Sequence, residues 1–269
     1  MNATETVSAL HFEPLVALGL TCSAFISLVG PLLLAVLIRK KTQAPWAALG
    51  VGALTFTVFQ LVLRLPWQIA IGVRFKEDFA ADPTLMMGWL VISCLTAGLF
   101  EETGRFLAFR KVLTREHSWR VGMMFGAGHG GIESILLVGI NMAVSVVLYM
   151  LMTRQTPLPL PADAHAALIK QFSGLTFPLS LMGGVERVSS MCLHLALSLA
   201  VLRAVSTRTL GWYFGAMGFH ALSNCVGVLV TRSAGPFMGE IAIGLCGVVS
   251  LVFIRSEYRR YSLSAAHIN

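Results

Sequence analysis

Apolar residues run almost unbroken through seven stretches, at about 15–38, 46–73, 85–109, 120–152, 177–203, 211–231 and 236–254, separated by segments where charge, proline or glycine collects. Some 20 apolar residues in a helix cross a hydrocarbon core of roughly 30 Å. The two-residue alternation of a membrane β-barrel strand is missing. The pattern therefore predicts an all-α polytopic transmembrane bundle of about seven spans. The fourth stretch is too long for a plain crossing. Its Gly122, Gly126, Gly128, Gly130 and Gly131 break it, making eight spans, or let another helix approach closely, or accompany a strong tilt. The longest connection, about 153–176, holds Pro157, Pro159 and Pro161 and reads as an extracytoplasmic loop. With no soluble segment, repeat or low-complexity tract, residues 1–269 are expected to form a single integral-membrane domain.

Composition agrees. Of 269 residues 56% are hydrophobic and 12% charged, with a mean hydropathy of +0.76. The net charge of +7 would suit nucleic acid, but its distribution argues otherwise. Arg39, Lys40, Lys41, Arg110, Lys111, Arg115, Arg120, Arg203, Arg208, Arg255, Arg259 and Arg260 fall at one end of the spans, against Arg74, Lys76, Arg154, Lys170 and Arg232 at the other. Positive charge collects on the cytoplasmic side. The expected topology thus has the N-terminus outside and the C-terminus in the cytoplasm, in a cytoplasmic (inner) membrane, with the lipid bilayer as partner and no nucleic acid. Glu5 and Glu13, without Lys or Arg in the first dozen residues, give no basic region of a cleaved signal peptide. Cys22, Cys94, Cys192, Cys225 and Cys246 are scattered through apolar stretches and read as small packing residues rather than a disulfide frame or metal site.

The costly residues are the polar ones inside the spans, because a charge in hydrocarbon costs roughly 2.5–3.5 kcal/mol and such groups usually line a polar cavity. Counted from the basic ends of their spans, Glu101, His129, His194 and His220 all lie roughly 12–14 Å deep at 1.5 Å per residue. Four helices thus deliver polar groups to one layer. Glu101 and Arg105, four apart, share a helix face and can pair, with Glu102 turned about 100° away; taken alone, this pair also reads as an interfacial salt bridge. His129 and Glu133 share a face at the spacing where a carboxylate orients an imidazole or both ligate a metal. Glu186 and Arg187 are adjacent, so each needs a partner elsewhere, with Arg64 and Glu133 the candidates for a bundle-stabilising network. His220 and Asn224 face the same way and can donate to an oxyanion, or else form an interhelical pair.

These motifs resemble the intramembrane proteases that include the type II CAAX-prenyl endopeptidases and the PrsW-like proteases, and look most like the bacterial YhfC family. The matching pieces are Glu101, Glu102 and Arg105; Phe125 and His129 as FxxxH; and His220 and Asn224 as HxxxN. Phe59, Gln60, Arg64 and Pro66, and the segments His129 to Glu133 and Glu186 to His194, look like YhfC in particular. The prenyl endopeptidases have three residues between the second glutamate and the arginine; here Thr103 and Gly104 are two. That spacing keeps both Glu101 and Glu102 as candidates.

The resemblance implies hydrolysis of a peptide bond in a membrane protein or lipidated peptide, by glutamate-activated water and without a cofactor. Glu101, or Glu102 in a shifted register, would be the base. His129 would position the water, His220 and Asn224 would stabilise the oxyanion, Arg105 would tune the carboxylate, and His194 would support them. The alternative is a zinc protease using Glu101, His129, His194 and His220. A proton-coupled transporter or a non-enzymatic scaffold would also place such residues in spans. Depth alone puts the site, and therefore cleavage, nearer the cytoplasmic leaflet.

Overall fold

Helix ends in this chain are set by proline and by left-handed turns. In the computed structural model, which describes residues 11–156 and 158–266, the spans are Pro14–Thr42, Trp46–Arg74, Pro83–Val112, Trp119–Thr153, Phe177–Thr207, Gly211–Ala234 and Pro236–Leu263. Pro14, Pro83 and Pro178 stand in first turns, where the missing N–H costs nothing and the fixed φ suits the helix. Asp82 caps the third span, accepting from the N–H groups of Thr84 at 2.8 Å and Leu85 at 3.2 Å. Gln43 at φ 56° and Arg208 at φ 55° end the first and fifth spans. Arg39, Lys40 and Lys41 fill the last turn of the first, opposite in sign to the helix C-terminal partial charge.

The fourth span is continuous. Its glycines serve close approach: a Cβ on Gly128 would lie 2.0 Å from the Leu49 carbonyl oxygen, and one on Gly52 would lie 2.1 Å from that of Phe125. The second and fourth spans therefore touch backbone to backbone. Wide π turns occur at Thr57–Arg64 in the second span and Ser134–Gly139 in the fourth. The first of these precedes Pro66, whose ring and missing N–H disturb the hydrogen-bond ladder one turn back; it turns Gln60 and Arg64 into the bundle, where both are buried.

The fifth span is the hub. Its apolar window is 72% buried, against 17–33% for the other six, and it packs on the first, third, fourth, sixth and seventh spans. Serine hydroxyls stitch it to the first span: Ser23 Oγ donates to the Ser180 carbonyl at 2.8 Å and accepts from the Gly184 N–H at 3.0 Å, bonds that average about 0.6 kcal/mol each between membrane helices. Large apolar side chains such as Leu33, Leu54, Ile69, Leu245 and Val252 stay exposed and form the lipid-facing belt.

The long connection contains more order than proline content suggests. Residues Ala162–Ser173 form a helix, with Pro161 at its N-cap and Asp163 in its first turn, and Phe172 buries its ring 5.5 Å from that of Tyr149. Pro157 lies outside the described residues. The five cysteines are free, and only Cys94 among them is buried.

Candidate metal and peptidase site

The polar layer predicted from depth is present, and its side chains meet. His129 is fixed by packing: the edge of its ring meets Phe56 at 5.3 Å between centroids, and Phe125 stacks at 6.2 Å. Its Nε2 lies 3.0 Å from Glu101 Oε2. His194 and His220 complete a row of three imidazoles, with centroids 5.4 Å apart for His129 and His194 and 5.8 Å for His194 and His220. These side chains come from the third, fourth, fifth and sixth spans, and all are buried.

Hydrogen bonds assign the nitrogens. Arg105 cannot accept, so its Nη2 donates to His194 Nδ1 at 2.7 Å and the proton of neutral His194 sits on Nε2, 2.8 Å from Glu133 Oε2. His220 is arranged the opposite way: its Nδ1–H donates to Glu102 Oε1 at 2.7 Å, leaving the Nε2 lone pair 4.0 Å from Glu101 Oε2. This carboxylate–imidazole arrangement is the usual support of a metal-bound histidine. Glu102 Oε1 also accepts from Arg105.

Several sequence expectations change partners. Arg105 and Glu101 do pair across one turn, at 3.9 Å, but the closer partner of Arg105 is Glu102, three residues away. A fully buried guanidinium needs the nearest charge, and one turn brings the i−3 carboxylate closer. His129 does not bond Glu133, because the glycine-lined face that carries it turns it to the third span. Glu133 serves His194 and, at 3.1 Å, Arg187. Glu186 and Arg187 do meet despite being adjacent, since the long arginine arm folds back while another of its nitrogens reaches Glu133. Arg64 joins neither of these carboxylates. Its guanidinium donates to Gln60 Oε1 at 3.0 Å, Ser93 O at 2.5 Å and Thr96 Oγ1 at 3.2 Å, all neutral acceptors.

A cavity of about 580 Å³ opens beside this layer, with Glu101, His194, His220 and Asn224 on its wall together with Arg64, Glu133, Glu186 and Arg187. Glu102 and His129 stand behind that wall. Glu240 in the seventh span, absent from the site residues expected from sequence, also lines it; a lone carboxylate in an otherwise apolar span is the signal that marks it.

The donors fit a divalent metal. Glu101, His129 and His194 each offer a ligand atom, and the three atoms lie within 4.8 Å of one another. Imidazole nitrogen with carboxylate oxygen is donor chemistry that zinc accepts. His129 Nδ1 is buried without a hydrogen-bond partner, so its ring is oriented by the packing of Phe56 and Phe125 and by its Nε2 contact. Distance groups His194 with Glu101 and His129, whereas hydrogen bonding favours His220 as the next nitrogen. The hydrogen bonds weigh more, because His194 offers no lone pair while Arg105 donates to it.

Residues 25–243 match the sequence profile of a family described as YhfC intramembrane metalloprotease. The chain is 32% identical over 244 residues to a Bacillus subtilis (strain 168) protein named "Uncharacterized membrane protein YhfC", covering 87% of this chain and 93% of that one. No solved structure matches it.

Proposed function

The chain belongs to the YhfC intramembrane metalloprotease family, and from that premise we propose that it is a metal-dependent endopeptidase hydrolysing peptide bonds of membrane-associated proteins or lipidated peptides within the bilayer. With its seven apolar spans it is an integral protein of the cytoplasmic membrane. The observation that carries the proposal is the meeting of buried donors beside a cavity large enough for a peptide segment: Glu101, His129 and His194 offer ligand atoms within 4.8 Å of one another, and His220 Nε2 lies 4.0 Å from Glu101 Oε2. The cofactor-free mechanism expected from sequence finds no support in the family's name, and zinc becomes the leading reading.

Glu101, His129 and His220 would hold the ion, with His194 beside them. Zinc in such a site polarises a carbonyl oxygen and lowers the pKa of water. The other residues keep these donors in place. Glu102 accepts a hydrogen bond from the His220 Nδ1–H and so aims Nε2 at the site; Arg105 pairs with Glu102 and holds His194 in its Nε2–H form; Glu133, anchored by Arg187, accepts from that N–H. Asn224, one turn beyond His220 on the cavity wall, donates to the oxygen on which negative charge develops, a contribution of roughly 2.7–4 kcal/mol per donor in known cases.

A second reading rests on the direct 3.0 Å contact of Glu101 with His129: Glu101 takes a proton from cavity water while His129 orients it and His220 with Asn224 stabilise the oxyanion. Glu102, fully buried and bonded to Arg105 and His220, has no access to that water in either reading.

The test is cleavage of a quenched transmembrane-peptide library by purified, metal-quantified protein in bilayers, comparing wild type with Glu101→Gln and His220→Ala. The expected result is bound zinc, activity lost on chelation and restored by zinc, and both variants inactive. Cleavage that survives complete removal of metal would overturn the metal reading in favour of the second.

A further inference from the structure

The direction in which the cavity opens is fixed by residues on six separate spans. The site layer gives the reference level, extended to the second span by Gly52, whose added Cβ would lie 3.0 Å from the His129 backbone nitrogen. From that level Arg64, Leu90, Leu137, Glu186, Arg232 and Glu240, one from each of the second to seventh spans, all line the cavity. Every one of them lies toward the same end of the bundle, the end carrying the connections 75–82, 154–176 and Gly235. Arg232 is exposed at the rim, next to the tight turn at Gly235.

The opposite side of the layer is closed. Phe109, Met124, Phe125 and Val201 are 0% exposed and Leu197 is 2% exposed, and the Phe109 and Phe125 rings pack 4.5 Å apart. A smaller cavity of about 220 Å³ at that end is lined by Trp119, Leu199 and Arg203, and by none of the site residues. Water and an extended peptide therefore have a polar route to Glu101 and His220 from one end and an apolar plug at the other.

The closed end is also the basic end, with Arg39, Lys40, Lys41, Arg110, Lys111 and Arg208, which the positive-inside rule assigns to the cytoplasm. We propose that the site is reached from the extracytoplasmic side, so that the enzyme cuts membrane substrates whose scissile bond is offered from the outer half of the bilayer. The substrate part of this statement rests on the peptidase reading; the access route does not.

Accessibility of single cysteines tests it without any substrate. In the full-length chain with its five cysteines replaced, Ser190→Cys and Val228→Cys place thiols on the cavity wall, while Ala81→Cys and Arg115→Cys report the connections at the two ends. A charged, membrane-impermeant methanethiosulfonate is applied to spheroplasts and to inside-out vesicles. Should either wall variant fail to fold, a chain keeping only the native Cys94, which also lines the cavity, takes its place. The expected result is modification of the wall thiols together with Ala81→Cys in spheroplasts, at least tenfold faster than in inside-out vesicles. Modification of the wall thiols from the side of Arg115→Cys would overturn the direction of opening. Modification together with Ala81→Cys from the cytoplasmic side would overturn the sidedness, and protection from both sides would overturn the aqueous route. A catalytically dead protein labels equally well, so failure here is separable from failure of the peptidase reading.

Discussion

Glu102→Gln isolates the support of His220 from the donors themselves. The carboxylate is fully buried; its Oε1 accepts from His220 Nδ1 at 2.7 Å and from Arg105. The glutamine keeps shape and one acceptor oxygen but loses the charge, leaving Arg105 with Glu101 at 3.9 Å as its nearest carboxylate. Removing one partner of a buried ion pair costs about 3–5 kcal/mol, and the retained acceptor places this variant at the lower end, near 3 kcal/mol. Loss of an outer hydrogen-bonding partner lowers metal affinity about 10–100-fold, which is about 1.4–2.8 kcal/mol at 1.4 kcal/mol per decade. The assay is a zinc competition titration against chelators of graded affinity on solubilised protein, with thermal unfolding measured in parallel. Combined with His220→Ala, the substitution should add little beyond His220→Ala alone, because both act through one ligand. Zinc affinity within twofold of wild type in folded Glu102→Gln, or full additivity with His220→Ala, would refute the assignment.

The two remaining histidines separate by the same titration: His220→Ala should lower zinc affinity by more than the roughly 100-fold upper range of an outer partner, and His194→Ala by no more than that range; equal losses would put both rings on the ion. Gly128→Ala should lower stability by at least the roughly 1–3 kcal/mol of overpacking, because its Cβ would lie 2.0 Å from the Leu49 carbonyl oxygen, whereas Gly218→Ala, with nothing within 4 Å of its Cβ, should be neutral or stabilising by about 0.4–1 kcal/mol; comparable melting temperatures for the two would refute the backbone contact of the second and fourth spans.

Much of this molecule is determined by the sequence alone. A bilayer admits few architectures, so seven apolar stretches already fix an all-helical bundle of seven spans, although the last helix runs on to Leu263, well past the apolar stretch that ends near 254. The constant rise of a helix turns residue counting into depth, which is why Glu101, His129, His194 and His220 could be placed in one layer before any contact was known. What periodicity does not carry is rotation and partner choice between helices. A shared face pairs Glu101 with Arg105, which the bundle keeps at 3.9 Å, and His129 with Glu133, which it does not; the bonds of Glu102 to Arg105 and His220, and of His129 to Glu101, are set by the bundle. Those choices depend on how closely the glycine faces of the fourth span let neighbouring helices approach and on which charge a buried arginine reaches first. The direction of access was hidden for the same reason. Depth is a property of one helix, and counting it points to the cytoplasmic leaflet; an opening is a property of several helices together, and the cavity wall from Arg64 to Glu240 and the buried cluster of Phe109, Phe125 and Val201 exist only once they are packed.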